Sequence, residues 1–140
     1  MFKVIFACVY NAGRSQMACA FFNELADHSK AEAVSAGTEP GDRVHPEVLT
    51  VMKEVGIDLS NVKPQRLTQE LANEAQLLVT MGCGDKCPYV PGLRRDDWPL
   101  RDPKGLPAED VRSIRDEVKA KVLNLIEAKQ FGNSGSSCRR

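Results

Sequence analysis

The amino-acid sequence predicts a single α/β domain, a three-layer α/β/α sandwich on a four-stranded parallel sheet. Three observations predict it. Short apolar runs such as Val4-Ile5-Phe6-Ala7 and Gln76-Leu77-Leu78-Val79-Thr80-Met81 lack the alternation of a half-exposed strand, so both faces are buried, as in a parallel sheet. Segments with apolar residues at helical spacing alternate with these runs, the order of strand–helix–strand units. A length of 140 residues with 42% apolar content fits one domain with its own hydrophobic core.

The elements follow in order. Val4–Ala7 is the first strand and runs into a polar, Gly-containing loop. Ser15 opens a helix with Met17, Phe21 and Leu25 at i, i+4 spacing and Ala18 and Phe22 beside them. Ala33–Gly37 is a second short strand, and Thr38–Arg43 is a loop rich in Pro, Gly and Asp. Pro46 suits the first turn of a helix whose apolar face is Val48, Val51, Met52 and Val55, with Gly56 as its stop. Thr68–Leu71 begins a short helix, and Gln76–Met81 is the third strand. Gly82–Arg95 is a long irregular segment of the kind that carries function in compact domains. Asp97–Leu100 reads as an edge strand, where Pro99 is tolerated. Pro107 begins the last helix, with Val111, Ile114, Val118, Val122 and Leu125 as its core stripe. The domain is expected over residues 1–131, followed by a flexible Gly/Ser-rich tail over 132–140.

Charge narrows the function. Nineteen basic and nineteen acidic residues cancel, which argues for a small substrate and against a nucleic-acid partner. No apolar run approaches a membrane span, and the N-terminal run is too short for a signal peptide. The expectation is a soluble, cytoplasmic, monomeric protein. In a reducing compartment its five cysteines, Cys8, Cys19, Cys83, Cys87 and Cys138, are more often catalytic, redox-active or metal-binding than disulfide-bonded.

The candidate site is the loop Cys8-Val9-Tyr10-Asn11-Ala12-Gly13-Arg14-Ser15 between the first strand and first helix. Such a loop curls so that successive backbone N–H groups face one cavity, and the helix adds its free amides and positive dipole end. Arg14 offers a planar fork for two oxygens of a tetrahedral anion, and Gly13 is expected to supply the unusual backbone angles. The same field favours the reactive thiolate of Cys8. Ser15 is positioned to donate its hydroxyl to that sulfur, and Asn11 to hold the loop by hydrogen bonds to backbone groups. A Cys-x5-Arg spacing alone is weak. Its placement between strand and helix, with Asn11, Gly13 and Ser15, gives it weight.

The stretch from Cys8 to Ala18 resembles the oxyanion loop of arsenate reductases built on the low-molecular-weight protein tyrosine phosphatase fold. Further matches follow in order: Ser35-Ala36-Gly37, His45-Pro46, Val55-Gly56-Ile57-Asp58-Leu59, Thr80-Met81-Gly82-Cys83-Gly84-Asp85 with Cys87-Pro88, Asp97-Trp98, Asp102-Pro103, and Val111–Asp116. The resemblance runs to about residue 128 and excludes the tail. It implies that Cys8 attacks the oxyanion, that Val9–Ser15 bind it, and that Asp102 is the general acid protonating the leaving oxygen. Without the resemblance, Asp102 reads as a turn residue before Pro103.

Three departures qualify it. Phosphatases of the fold carry a second cysteine just before the arginine, where this chain has Gly13, and an aromatic residue after the Asp-Pro pair, where it has Lys104. Some reductases bind potassium through a glutamate early in the first helix. Cys19 stands at that place, so no metal is expected.

Cys83 and Cys87 are four apart in the long segment. They read as a redox pair. A zinc site lacks the usual Cys-x2-Cys spacing, and two half-buried apolar residues are the bland alternative. The resemblance implies a relay in which Cys83 takes the sulfur of Cys8 and Cys87 takes that of Cys83, recycled by thioredoxin with no bound cofactor. A small thiol, mycothiol or glutathione working with mycoredoxin or glutaredoxin, stays open as the alternative donor. So does a phosphatase needing Cys8, Arg14 and Asp102 but neither Cys83 nor Cys87, and a binding protein without turnover. Cys138 is expected to be an incidental thiol of the tail, Cys19 a core residue, His45 the start of the second helix and His28 a surface residue.

Overall fold

The computed structural model describes residues 1–81 and 92–132. Within them the order is β1 (Phe2–Cys8), α1 (Arg14–Leu25), β2 (Ala31–Gly37), α2 (Pro46–Lys53), α3 (Gln69–Asn73), β3 (Leu77–Thr80), β4 (Arg94–Asp97) and α4 (Ala108–Ala128). The strands form one parallel sheet in the order β2-β1-β3-β4, as the unbroken apolar runs predict. Cys83 and Cys87, and Cys138 with the tail, lie outside the described residues.

Strand β1 is central, and its side chains alternate between two cores. Val4, Phe6 and Cys8 point into the larger one with Met17 and Phe22 of α1, Met52 of α2 and Val118 of α4. Ile5 and Ala7 point into the smaller one with Leu67, Leu78 and Ala72 of α3. This is why the run reads as continuously apolar: a strand covered on both faces has no polar side to show. Phe6 packs on Phe22 and Trp98 at ring-centroid distances of 5.9 and 5.5 Å.

Most elements lie where sequence patterning puts them, within a residue or three at their ends. His45 is the residue before α2, Thr68 caps α3 by accepting from the Leu71 amide at 3.1 Å, and Gly56 has the left-handed φ of +84° that suits a helix stop. His28 is exposed, and Cys19 is partly buried and packs against the core.

Two expectations need correction and a third is extended. The edge strand is Arg94–Asp97, not Asp97–Leu100. The Trp98 amide makes the last ladder-like bond, to the Thr80 carbonyl at 2.8 Å. Beyond it Pro99 has no N–H, and Trp98 and Leu100 fold inward and are buried. The true strand escapes notice because all four of its residues are charged and exposed, as suits a sheet edge. On α4 Leu125 packs against the core partly buried, and the stripe runs one residue further, to the buried Ile126 four positions from Val122. Gly132, expected to begin the free tail, bridges Ala26, and its carbonyl accepts from Lys30 Nζ at 3.2 Å.

Among the described residues, no helix is long and apolar enough to cross a membrane.

Candidate active site

Cys8 closes β1 and is 2% exposed. Its strand lies between β2 and β3, with Cys8 opposite Gly37 and Ala7 opposite Thr80, so the loop leaves the carboxyl edge at mid-sheet. Ligands of parallel α/β sheets bind at that edge.

The loop's carbonyls are engaged on its outer side. Those of Val9, Tyr10 and Ala12 accept from the amides of Glu39, Gly41 and His45 at 2.8, 2.9 and 2.9 Å. That of Asn11 accepts from Gln16 Nε2 at 2.9 Å, and that of Gly13 from the Met17 amide at 3.0 Å. With the carbonyls held outward, the intervening amides are left for an anion. Asn11 supplies the left-handed turn, with φ of +52°. Asparagine tolerates that region better than most residues.

Gly13 has φ −143° and ψ −91°, outside the helical and extended regions, as expected of the loop's glycine. Glycine is required there for space: a Cβ would stand 2.8 Å from Pro103 Cγ. Gly37 likewise lets the end of β2 approach the loop, since a Cβ there would stand 2.6 Å from the Val9 carbonyl oxygen.

Arg14 is 7% exposed. Its Nη1 donates to the Leu100 carbonyl at 2.9 Å, and its buried Nε has no partner among the described residues. A buried guanidinium donor left unpaired is costly, so an anion oxygen there would relieve it. The Cys8 sulfur lies 2.9 Å from the Ser15 hydroxyl oxygen, to which Asn11 Nδ2 donates at 2.7 Å. Cys8, Asn11, Arg14 and Ser15 are all buried, and the first two bond to Ser15.

Asp102 is exposed, and its Oδ1 accepts from the Lys104 amide at 3.0 Å across Pro103. Three contacts hold this turn to the loop region. Pro103 abuts Gly13, the Gly105 amide donates to Glu47 Oε2 at 3.2 Å, and Lys104 Nζ stands 5.7 Å from the Tyr10 ring centroid. Glu47 ionises below the usual glutamate range, chiefly because its carboxylate accepts its own backbone amide, with Gly105 assisting. The Lys104 ammonium lies over the one exposed aromatic ring of the loop.

Sequence patterning missed the residues that arrive from far along the chain: the Gln65 amide on Asn11 Oδ1 at 2.9 Å and the Leu100 carbonyl on Arg14. No local signal marks either, since both contacts are made by backbone groups. Cys19 sits apart from the loop, its Sγ 3.5 Å from the Ala33 carbonyl, with burial pushing its thiol up to about 11. Among the described residues no cluster of His, Cys, Asp and Glu could hold a metal ion.

A parallel α/β sheet whose central strand ends in a buried cysteine, under an amide-lined loop and an arginine, defines a thiol-centred oxyanion-binding domain. The chain belongs to the family described as low molecular weight phosphotyrosine protein phosphatase, whose profile matches residues 3–87. It is 37% identical over 129 residues to a putative arsenate reductase of Halobacterium salinarum, covering 89% of this chain and 91% of that one. It is 38% identical over 129 residues to a glutaredoxin arsenate reductase of Synechocystis, covering 90% and 97%. Among solved structures it superposes on a thioredoxin-dependent arsenate reductase of Corynebacterium glutamicum with a TM-score of 0.80 and 36% identity. That match covers 93% of this chain and 62% of the other.

Proposed function

We propose that this protein reduces arsenate to arsenite in the cytoplasm, acting as a monomer and drawing electrons from thioredoxin. One observation carries the reading. The Cys8 sulfur is buried at the end of β1, 2.9 Å from the Ser15 hydroxyl, inside a loop whose carbonyls are bonded outward. That setting supports Cys8 as the nucleophile toward a tetrahedral oxyanion held by the loop. Similarity over about nine-tenths of the chain to proteins named as arsenate reductases supports arsenate as that anion.

The chemistry runs in three exchanges. The amides of Val9–Ser15 and the Arg14 fork hold arsenate. The Cys8 thiolate attacks arsenic, and the displaced oxygen leaves as water after protonation, with Asp102 as the acid. The Cys83 thiolate then attacks the Cys8 sulfur. The sulfur–arsenic bond breaks, its electron pair goes to arsenic, arsenite departs, and a Cys8–Cys83 disulfide remains. The Cys87 thiolate attacks Cys83, Cys8 leaves as thiolate, and the Cys83–Cys87 disulfide is reduced by thioredoxin.

What supports the relay is the strand that precedes it. The Met81 amide donates to the Ala7 carbonyl at 2.8 Å, so β3 ends beside the end of β1, and Cys83 follows two residues later in sequence. The Lys104 ammonium over Tyr10 gives the loop's rim a positive charge and occupies one ring face, which suits a free inorganic dianion better than an aryl ester.

The test is NADPH consumption with arsenate, thioredoxin and thioredoxin reductase, for the wild type and for Cys83→Ser and Cys87→Ser. Turnover that vanishes in both variants supports the relay. Turnover that survives in both, or that needs glutathione with glutaredoxin or mycothiol with mycoredoxin, replaces it with a small-thiol route. Hydrolysis of a phosphoester without arsenate reduction assigns the chain to the phosphatase branch.

A further inference from the structure

The hydrogen bonds around Cys8 have a direction, and it can be traced from two backbone groups whose polarity cannot change. The Asn11 carbonyl only accepts, and the Gln65 amide only donates. Gln16 Nε2 lies 2.9 Å from the Asn11 carbonyl oxygen, so the nitrogen end of the Gln16 amide faces the loop. The same nitrogen is 3.1 Å from the near atom of the Asn11 side chain, and the Gln65 amide is 2.9 Å from that atom. Two donors converge on it, so it is the oxygen, Oδ1.

The other end of the Asn11 amide is therefore Nδ2, which donates to Ser15 Oγ at 2.7 Å. A hydroxyl has one proton. A thiolate can only accept, so with Cys8 deprotonated Ser15 directs that proton to the sulfur at 2.9 Å. Gln16 is 3% exposed and Asn11 and Ser15 are 0% exposed, so bulk water does not compete for these groups. Gln16 also binds the carbonyl of the one loop residue with left-handed φ, which holds that carbonyl outward.

We infer that Gln16 is a positioning residue for the nucleophile: through Asn11 it orients the Ser15 hydroxyl so that its proton stabilises the Cys8 thiolate. The inference rests on the reading of Cys8 as nucleophile. Gln16 touches neither the sulfur nor the anion cavity's amides. It acts through two intermediates, and its removal takes away one of the two donors on Asn11 Oδ1 together with the clamp on the Asn11 carbonyl.

The experiment reads the thiolate directly, without arsenate. The full-length chain is alkylated with iodoacetamide across a pH series, and the rate at Cys8 is followed by mass spectrometry of its peptide. Gln16→Met keeps the length of the side chain and removes the donor. At neutral pH it is expected to slow alkylation of Cys8 about fivefold, the factor that one ordinary hydrogen bond is worth, with the rate profile displaced to higher pH. Because Gln16 acts through Ser15, Gln16→Met is expected to add nothing in a Ser15→Ala background. Gln16→Leu, put through the same cycle, replaces Gln16→Met if thermal melting shows that variant unfolded. An unchanged rate in the Gln16 variant, or slowing that multiplies with that of Ser15→Ala, overturns the inference alone. A wild-type Cys8 that reacts no faster than free cysteine overturns the nucleophile reading, and the inference with it.

Discussion

Pro103 rests against Gly13 so closely that a Cβ on the glycine would stand 2.8 Å from the proline Cγ. Two segments 90 positions apart in sequence thus meet at the point where the loop becomes a helix. Gly13 immediately precedes the arginine proposed to bind the anion, and Pro103 immediately follows the carboxylate proposed to protonate it. The gap between them is set by the absence of one methyl group.

Gly13→Ala is therefore expected to push the 102–105 turn outward. Overpacking of this kind costs about 1–3 kcal/mol. Melting temperature should fall accordingly, and kcat for arsenate should fall about tenfold or more as Asp102 moves with its turn. Steady-state kinetics beside a thermal melt check it. Unchanged kinetics would mean that Pro103 yields without carrying Asp102 along.

Arg14→Lys tests the fork. Lysine keeps the charge but lacks the planar pair of donors, one of which reaches the Leu100 carbonyl while Nε is left for the anion. We expect kcat/KM for arsenate to fall about a hundredfold, in the range seen when one preorganised oxyanion donor is removed. Protection of Cys8 from alkylation by inorganic phosphate should weaken in parallel.

Asp102→Asn separates acid from structure. The asparagine oxygen can still accept from the Lys104 amide, so the turn should persist and the melting temperature should hold. What goes is the proton donor, and kcat is expected to fall about a hundredfold with little change in KM. An equal rise in KM would point to a binding role instead.

Cys19 gives a prediction in pH. Burial raises its thiol from 9.0 to about 11. At neutral pH it should remain protonated and be alkylated far more slowly than Cys8 in the folded chain. The folded state keeps this proton up to about 11, whereas the unfolded state releases it near 9.0. Between those values the folded state binds more protons, so this group's stabilising contribution is present below 9.0 and is lost as pH rises through that window. Cys19→Ala should flatten this alkaline loss of stability, measured by urea unfolding at pH 8 and pH 10.

Much of the fold was legible because its signals are local. Val4–Ala7 is apolar on both sides, Pro46 and Thr68 mark helix starts, and Val111, Ile114, Val118 and Val122 trace one stripe. Strand β4 was not, since four charged residues carry no apolar pattern and become a strand only by pairing with β3. The tryptophan and leucine that looked like strand residues instead close the core next to it.

The sequence by itself determined the candidate nucleophile and its setting: a cysteine at the end of a buried strand, followed within one loop by the glycine, arginine and serine that open a helix. Those residues are neighbours in the chain, so their proximity needs no folding to be known. Only the tertiary structure decided how they are held. Asn11 makes the left-handed turn, Pro103 lies against Gly13, and the Gln65 amide and Leu100 carbonyl take the bonds that fix Asn11 and Arg14. These partners come from 54 to 90 positions away and act through backbone atoms or simple bulk, which every residue possesses and no motif records.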